Sequence, residues 1–162
     1  MLFERSPWSH DLSSDVTEWR SNLWANAFAR QNVGGDTDSF GRELQRIFSD
    51  VRLAHFSFMP EFFPLFEYLN SKGFETVLIT NGHHHVQREK LSACCAHELF
   101  CRPEQIIIGG EEELEGRLQK PAAEIFLKAC MVAKCDPCEA IHVGDNLLTD
   151  VKVGNPNKIN VP

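Results

Sequence analysis

The chain lacks any apolar run long enough to cross a membrane, and its first residues include Glu4 and Arg5 where a secretory signal needs an apolar stretch. It also lacks an excess of basic residues, because 16 Lys and Arg stand against 23 Asp and Glu, giving a net charge of −7. Nucleic acids and anionic membranes attract clustered Lys and Arg. We therefore expect a soluble cytoplasmic protein that binds a small molecule, with neither nucleic acid nor a membrane as its partner.

Cysteine is present but lacks the pattern of a disulfide scaffold or a zinc site. The 6 cysteines belong to a chain of 162 residues with 43% hydrophobic residues, which is large enough to fold without disulfides. Cys135 and Cys138 have the spacing of a zinc knuckle, but the sequence has no second pair of this kind and structural zinc takes four ligands. We expect reduced thiols, and a zinc-bound interaction module is the least favoured hypothesis.

Two amphipathic helices are predicted in the first third of the chain. Apolar residues recur at helical spacing from Val16 to Ala27, and Asp15 is placed to cap that helix. A second apolar stripe runs from about Ser39 to Val51. We expect the two helices to pack as a pair.

The rest of the chain alternates helical stripes with short, branched apolar runs, which is typical of α/β proteins. The runs predicted as strands are residues 76–80 (TVLIT), 106–108 (III) and 140–143 (AIHV). The predicted helices run from about Phe62 to Leu69, from about His84 to Ala96 and from Pro121 to Ala133. We expect a Rossmann-like parallel sheet in residues 58–162 and a separate helical domain in residues 1–57.

Three segments carry groups that bind phosphate or metal, and each follows a predicted strand or begins a helix. Residues 80–82 (TNG) offer a hydroxyl and a turn with exposed backbone N–H groups. Lys120 places an ammonium group before a predicted helix. Asp145 and Asp150 follow the run at 140–143 and offer paired carboxylates, which suit magnesium.

Each segment alone also has an ordinary structural explanation, namely a strand-ending turn, a solvated lysine or helix-capping acids. The three together, in this order on alternating strand and helix units, favour a functional site. The neighbouring residues His83, His84 and His85 are interpreted as the solvated first turn of a helix and are left outside that site.

The segments VLITNG, KPAAEIF and HVGDNLLTD resemble the second, third and fourth signature motifs of the haloacid-dehalogenase superfamily. The resemblance covers roughly Met59 to Val153. Within the superfamily, residues 78–82, 87–91 and 108–111 are similar to the N-acylneuraminate-9-phosphatase group, and this match is the less specific of the two. The first third is consistent with that group's helical cap.

The resemblance implies hydrolysis of a sugar phosphate, such as N-acylneuraminate 9-phosphate, through an aspartyl-phosphate intermediate with Mg²⁺ as cofactor. It implies that Asp145 is a metal ligand and that Lys120 and Asp150 are catalytic residues. The residues that it implies bind the substrate phosphate are Thr80, Asn81, Gly82 and Lys120.

The superfamily's nucleophile lies in an Asp-x-Asp-x-Thr type motif before the cap, and this chain begins inside the expected cap. Residues 36–39 (DTDS) are similar to this motif in residue type. They follow a polar, glycine-containing segment that cannot be a buried strand, so turn and N-cap chemistry explains them. We expect an N-terminally truncated core without its first strand and nucleophile, and hence an inactive chain. The alternative is a non-catalytic phosphate- or partner-binding protein of the same fold.

Overall fold

The computed structural model describes residues 15–151 and divides the chain into two units between Ser57 and Phe58. The first unit contains helices α1 (Val16–Arg30) and α2 (Thr37–Ala54). The second contains α3 (Phe62–Ser71), β1 (Leu78–Thr80), α4 (His84–Ala93), α5 (Ala96–Leu99), β2 (Ile106–Ile108), α6 (Gly109–Leu114) and α7 (Ala123–Ala133). Short 3₁₀ turns occur at Pro103–Gln105 and Pro137–Glu139, and a π-helical turn at Leu147–Val151. No helix in the described residues has the length and apolar character needed to span a bilayer.

Both helices of the first unit begin at an acidic N-cap. The Asp15 carboxylate accepts a hydrogen bond from the backbone N–H of Thr17 at 2.8 Å, which satisfies one of the free donors of α1. The Asp36 carboxylate accepts from the backbone N–H of Ser39 at 3.0 Å in the same way. The N-cap explanation of residues 36–39 is therefore confirmed.

The predicted pairing of α1 with α2 is confirmed, but small residues make the contact. A Cβ added at Gly41 would lie 2.4 Å from the carbonyl oxygen of Ser21, so only glycine permits this approach of the two backbones. Ser21, Ala25 and Gln45 are buried beside it. The larger apolar residues of the predicted stripes, such as Ile47 and Phe48, are largely exposed within this unit.

The sheet of the second unit joins β1 and β2 in parallel, with Leu78 opposite Ile106 and Thr80 opposite Ile108. The strand predicted at residues 106–108 is confirmed, and its three isoleucines are buried, as expected for a strand covered on both faces. The strand predicted at 76–80 is shorter, since the ladder begins at Leu78. Parallel neighbours need a crossover, which α4 and α5 provide.

The core of the second unit forms where β2 packs against aromatic and small residues of the helices. Its buried members are Phe66, Ala96, Phe100, Ile106 and Ile108. The Phe66 and Phe100 rings meet edge to face, with centroids 5.5 Å apart. Burial of this cluster fixes α3 and α5 beside the sheet, and therefore positions the loops at the ends of its strands.

Two predictions about the C-terminal part are corrected. Residues 140–143 form no strand, and Ile141 and Val143 are 90% and 87% exposed. A strand needs a neighbour for its backbone hydrogen bonds, and the sheet of the described residues has two strands, neither of which pairs with this segment. The helix predicted from Pro121 begins at Ala123, so Pro121 lies in the preceding turn.

The helix predicted from His84 to Ala96 ends earlier than expected. Helix α4 ends at Ala93, and Cys95 then takes a left-handed conformation with φ of 53° before α5 begins. A non-glycine residue in this region is uncommon, so the break is a local feature that periodicity does not reveal. Helix α6 was not among the predicted helices.

Candidate phosphate-binding site

The site begins where β1 ends, at Thr80, Asn81 and Gly82. Gly82 has φ of 114°, a conformation that favours glycine, and this turns the chain from the strand into α4. The Gln87 side-chain amide donates to the Asn81 carbonyl oxygen at 2.9 Å and holds the turn against the first part of that helix. The Thr80 hydroxyl makes only a long contact of 3.4 Å with the same carbonyl.

The turn after β1 packs directly on the start of α6, backbone against backbone. The Gly110 N–H donates to the Gly82 carbonyl oxygen at 3.1 Å. A Cβ added at Gly110 would lie 2.5 Å from that oxygen, so a side chain there would separate the two turns. Arg88 of α4 and Glu111 of α6 form an ion pair at 2.7 Å beside them. The ends of the two strands are therefore fixed to each other.

The Asn81 side chain connects this turn to the loop that carries Lys120. Its amide N–H donates to the Lys120 carbonyl oxygen at 2.7 Å, and its amide oxygen accepts from the Lys120 backbone N–H at 3.0 Å. This reciprocal pair satisfies both main-chain groups of Lys120, 39 residues away in the chain. The hydrogen bonds place the predicted phosphate corner and the predicted lysine together.

The Lys120 ammonium group donates to Asp150 at 2.6 Å, and the two side chains are only 10% and 5% exposed. The His142 ring nitrogen Nε2 lies 2.9 Å from the same carboxylate oxygen. Burial by itself raises the pKa of Asp150, but hydrogen bonds from Lys120 and His142 outweigh it and lower the pKa to about 2. Asp150 is therefore an anion, and it orients Lys120.

Asp145 is placed differently from Asp150. The second oxygen of Asp150 accepts from the Asn146 backbone N–H at 3.2 Å, and a Cβ at Gly144 would lie 2.4 Å from the Asp150 carboxyl carbon. The backbone on either side of Asp145 is thus packed on Asp150. The Asp145 side chain itself is exposed, with no hydrogen bond or ion pair to any residue in the described part of the chain.

The carboxylates fit a magnesium ion only in part. Within residues 15–151, no group of three His, Cys, Asp or Glu side chains could hold a metal ion. Mg²⁺ commonly takes one or two carboxylates, with water and substrate phosphate completing its octahedron. Asp145 can supply one such ligand, whereas Asp150 is engaged by Lys120 and His142. Asp145 is thus the carboxylate left available for a metal ion, and its assignment as a magnesium ligand stays a prediction.

The sequence-predicted residues fall into two groups in the structure. Thr80, Asn81 and Gly82 form one turn, which hydrogen bonds join to Lys120 and, through it, to Asp150. Asp145 adjoins this group along the chain, but its exposed side chain forms no hydrogen bond or ion pair with the group's described residues. Sequence reasoning missed His142, which lies in the run mistaken for a strand and packs edge to face on Phe126 at 4.9 Å. A polar residue in that apolar run was the available signal.

The three histidines after Gly82 also differ from expectation. His83 is 7% exposed and both of its ring nitrogens lack a hydrogen-bond partner among the described residues. The His83 and His84 rings stack with centroids 4.4 Å apart, and His84 and His85 at 4.3 Å. The interpretation of residues 83–85 as a solvated turn is wrong for His83, although His85 is exposed.

The parallel strand pair with its connecting helices, and the buried lysine–aspartate pair that hydrogen bonds join to the turn after β1, define an α/β protein with a candidate anion-binding site. The haloacid dehalogenase-like hydrolase family model matches residues 10–156, and the chain belongs to that family. This confirms the superfamily assignment made from the three motifs.

The chain is also similar in sequence to individual phosphatases. The chain is 31% identical to mouse (Mus musculus) N-acylneuraminate-9-phosphatase and 30% identical to that of the rat (Rattus norvegicus), in each case over 90% of this chain and 55% of the relative. It is 30% identical to glyceraldehyde 3-phosphate phosphatase of Methanopyrus kandleri over 67% of this chain and 43% of the relative. The chain therefore spans about half the length of the curated relatives it matches.

Proposed function

We propose that residues 58–151 form the phosphate-binding part of a phosphoric monoester hydrolase that acts on a sugar phosphate. The two rodent relatives are named for N-acylneuraminate 9-phosphate, and that compound is the substrate we propose for the protein. Helices α1 and α2 belong, in this proposal, to a helical cap domain. Reduced cysteines, free throughout the described residues, are compatible with the cytoplasmic location that we also propose.

The observation that supports a phosphate site best is the connection of Asn81 to Lys120 and of Lys120 to Asp150. An ammonium group that is nearly buried and held at 2.6 Å by a carboxylate has a fixed direction. Such a fixed charge stabilises a phosphoryl group better than a mobile one, because no reorganisation is needed when the anion arrives. In the proposed site, the Thr80 hydroxyl and the Asn81 backbone N–H donate to phosphate oxygens beside Lys120.

Asp145 is the residue that would hold Mg²⁺ in the proposed site. The ion, when bound, would neutralise charge on the phosphoryl group. Lys120, oriented by Asp150, would share this task. Asp150 is a positioning residue here, because it acts through Lys120.

Among residues 15–151, the carboxylates that belong to the proposed site do not include a free nucleophile. Asp150 accepts from Lys120, His142 and a backbone N–H, while Asp145 is assigned to the metal. Asp36 caps α2 in the first unit. We therefore propose that this chain alone binds phosphoryl groups without transferring them to an aspartate.

The proposal is tested by calorimetric titration with inorganic phosphate, with and without Mg²⁺, together with a generic aryl phosphate assay. We expect binding that Mg²⁺ strengthens, no turnover, and a loss of about fivefold to tenfold in affinity for Thr80→Val, which removes one hydrogen bond. Asp145→Ala should abolish the Mg²⁺ effect, whereas Glu98→Ala, which removes an exposed carboxylate of α5, should leave it unchanged.

Two results would contradict parts of this proposal. Absence of phosphate binding under every condition would refute the proposed phosphate-binding site. Turnover of the aryl phosphate that Asp145→Ala abolishes would show a complete active site, and would refute the proposed inactivity while supporting the phosphatase chemistry.

A further inference from the structure

The buried histidine at the start of α4 has polar atoms that nothing in the described structure satisfies. His83 precedes the first helical residue and directly follows the Asn81–Gly82 turn. Either neutral tautomer of its ring has one N–H donor and one acceptor, and the protonated ring has two donors. Buried polar atoms nearly always have partners in folded proteins, so two unpaired nitrogens on one buried ring require an explanation.

The backbone at the same place also lacks acceptors for its donors. The N–H groups of His84, His85 and Val86 belong to the first turn of α4, and no residue within 15–151 accepts a hydrogen bond from them. A helix N-terminus carries partial positive charge and favours an anion. His83 gives no side-chain cap to α4. The N–H of the unpaired His83 ring and the uncapped start of α4 are separate donors that could both donate to one anion.

The charged residues around the three rings do not supply that acceptor. Glu111 of α6 acts on His84, because its charge raises the pKa of that ring, but its carboxylate is held by Arg88. Elsewhere in the second unit, Glu112 accepts from Arg117 and Lys128, and Asp150 from Lys120 and His142, so neither of these carboxylates is available. The neighbouring carboxylates therefore leave the unpaired nitrogens of His83 and His84 unsatisfied.

We propose that His83 and His84 bind the oxyanion of the phosphoryl group and that His84 takes up one proton from solvent when the anion binds. This inference rests on the proposed function and deepens it, because it adds two substrate-contacting residues to the Thr80–Lys120 corner. An anion favours the imidazolium form, in which both ring nitrogens donate. Stacked rings repel each other when more than one is charged, so uptake is limited to a single proton.

The protonation state of His84 in the absence of an anion agrees with proton uptake on anion binding. Burial lowers the pKa of His84 below its ordinary value, and the neighbouring rings of His83 and His85 lower it further, against a smaller opposing effect of Glu111. His84 is therefore neutral at neutral pH when no anion is bound. Anion binding reverses the balance of charge and raises the pKa, which makes affinity depend on pH.

Calorimetric titration with sulfate between pH 5.5 and 8 tests the inference. Sulfate is a dianion throughout this range, so any pH dependence of its affinity belongs to the protein. We expect affinity to rise as pH falls, by up to about tenfold per pH unit where one proton is taken up. His84→Gln should flatten this dependence. His97→Gln, which changes an exposed histidine of α5, should not alter it.

Histidine-ring NMR of the unsubstituted chain identifies the group that takes up the proton, and it does not depend on a variant that folds. Saturating sulfate should raise the pKa of His84. Sulfate affinity that is constant with pH, or a proton taken up at His142 instead, would overturn the inference and leave the phosphate site standing. Absence of sulfate binding at every pH would overturn both.

Discussion

Two apolar segments of the second unit, residues 106–108 and 140–143, have similar composition and opposite environments. Ile108 is 1% exposed, in a strand that pairs with β1 and packs on Phe66 and Phe100. Ile141 is 90% exposed in a segment without a strand partner in the described residues. Branched apolar residues therefore make a strand only where a neighbour offers both a hydrogen-bonding edge and a surface to cover them.

The two segments are also held by different forces. β2 is held by burial of its side chains, which is favourable without any specific orientation. Residues 140–151 are held by the polar contacts of Asp150, with Lys120, His142 and the Asn146 backbone N–H. Substitutions that remove one force at a time should therefore act on one segment and spare the other.

The largest effect is expected for Ile108→Ala. It removes a fully buried side chain from the core and should lower the free energy of unfolding by about 4 kcal/mol, as measured by urea denaturation. The same substitution at Ile141, which is exposed, should change it by less than about 0.5 kcal/mol. Equal decreases in the free energy of unfolding at the two positions would show that Ile141 is buried in solution. They would contradict the difference between the two segments.

A smaller and more local effect is expected for Asp150→Asn. The change removes the charge that pairs with the buried ammonium group of Lys120, and should weaken the local structure by about 2–3 kcal/mol. Hydrogen exchange should accelerate at the Asp150 backbone N–H, which bonds to the Asn146 carbonyl, while the amides of β2 keep their protection. Loss of protection in β2 to the same extent would show that the ion pair supports the core as well.

The smallest effect is expected on acidification. The pKa of Asp150 is about 2 in the folded chain, below the ordinary 3.8, so its contribution is present above about pH 4 and is lost as pH falls toward 2. The difference in stability between the unsubstituted chain and Asp150→Asn should shrink by about 2 kcal/mol across that window. Urea denaturation at several pH values measures it, and a constant difference would argue against the depressed pKa.

Much of the fold followed from local pattern. The helix caps at Asp15 and Asp36 and the strand at 106–108 depend on residues close in sequence, and all were predicted. The errors arose where distant residues decide the outcome. Periodicity could not show that residues 140–143 would have no strand neighbour among the described residues, because pairing depends on segments far away in the chain.

The candidate site was predictable to the level of which segments meet, through the resemblance of three motifs to one family. How the segments meet was not predictable. The reciprocal hydrogen bonds of Asn81 with Lys120 and the burial of His83 depend on loop geometry that residue types do not encode. Asn81 was named for its position in a turn, whereas its side chain is what ties two loops together.

The contact between Gly82 and Gly110 limits how this protein can change. The two backbones touch at Gly110 with no room for a methyl group. An insertion or a larger side chain in one turn would therefore require a matching change in the other. Variation of ligand preference, by engineering or by evolution, is therefore expected at positions outside these two turns. Gly82 and Gly110 thus make the turns at the two strand ends a single unit, which can vary only as a whole.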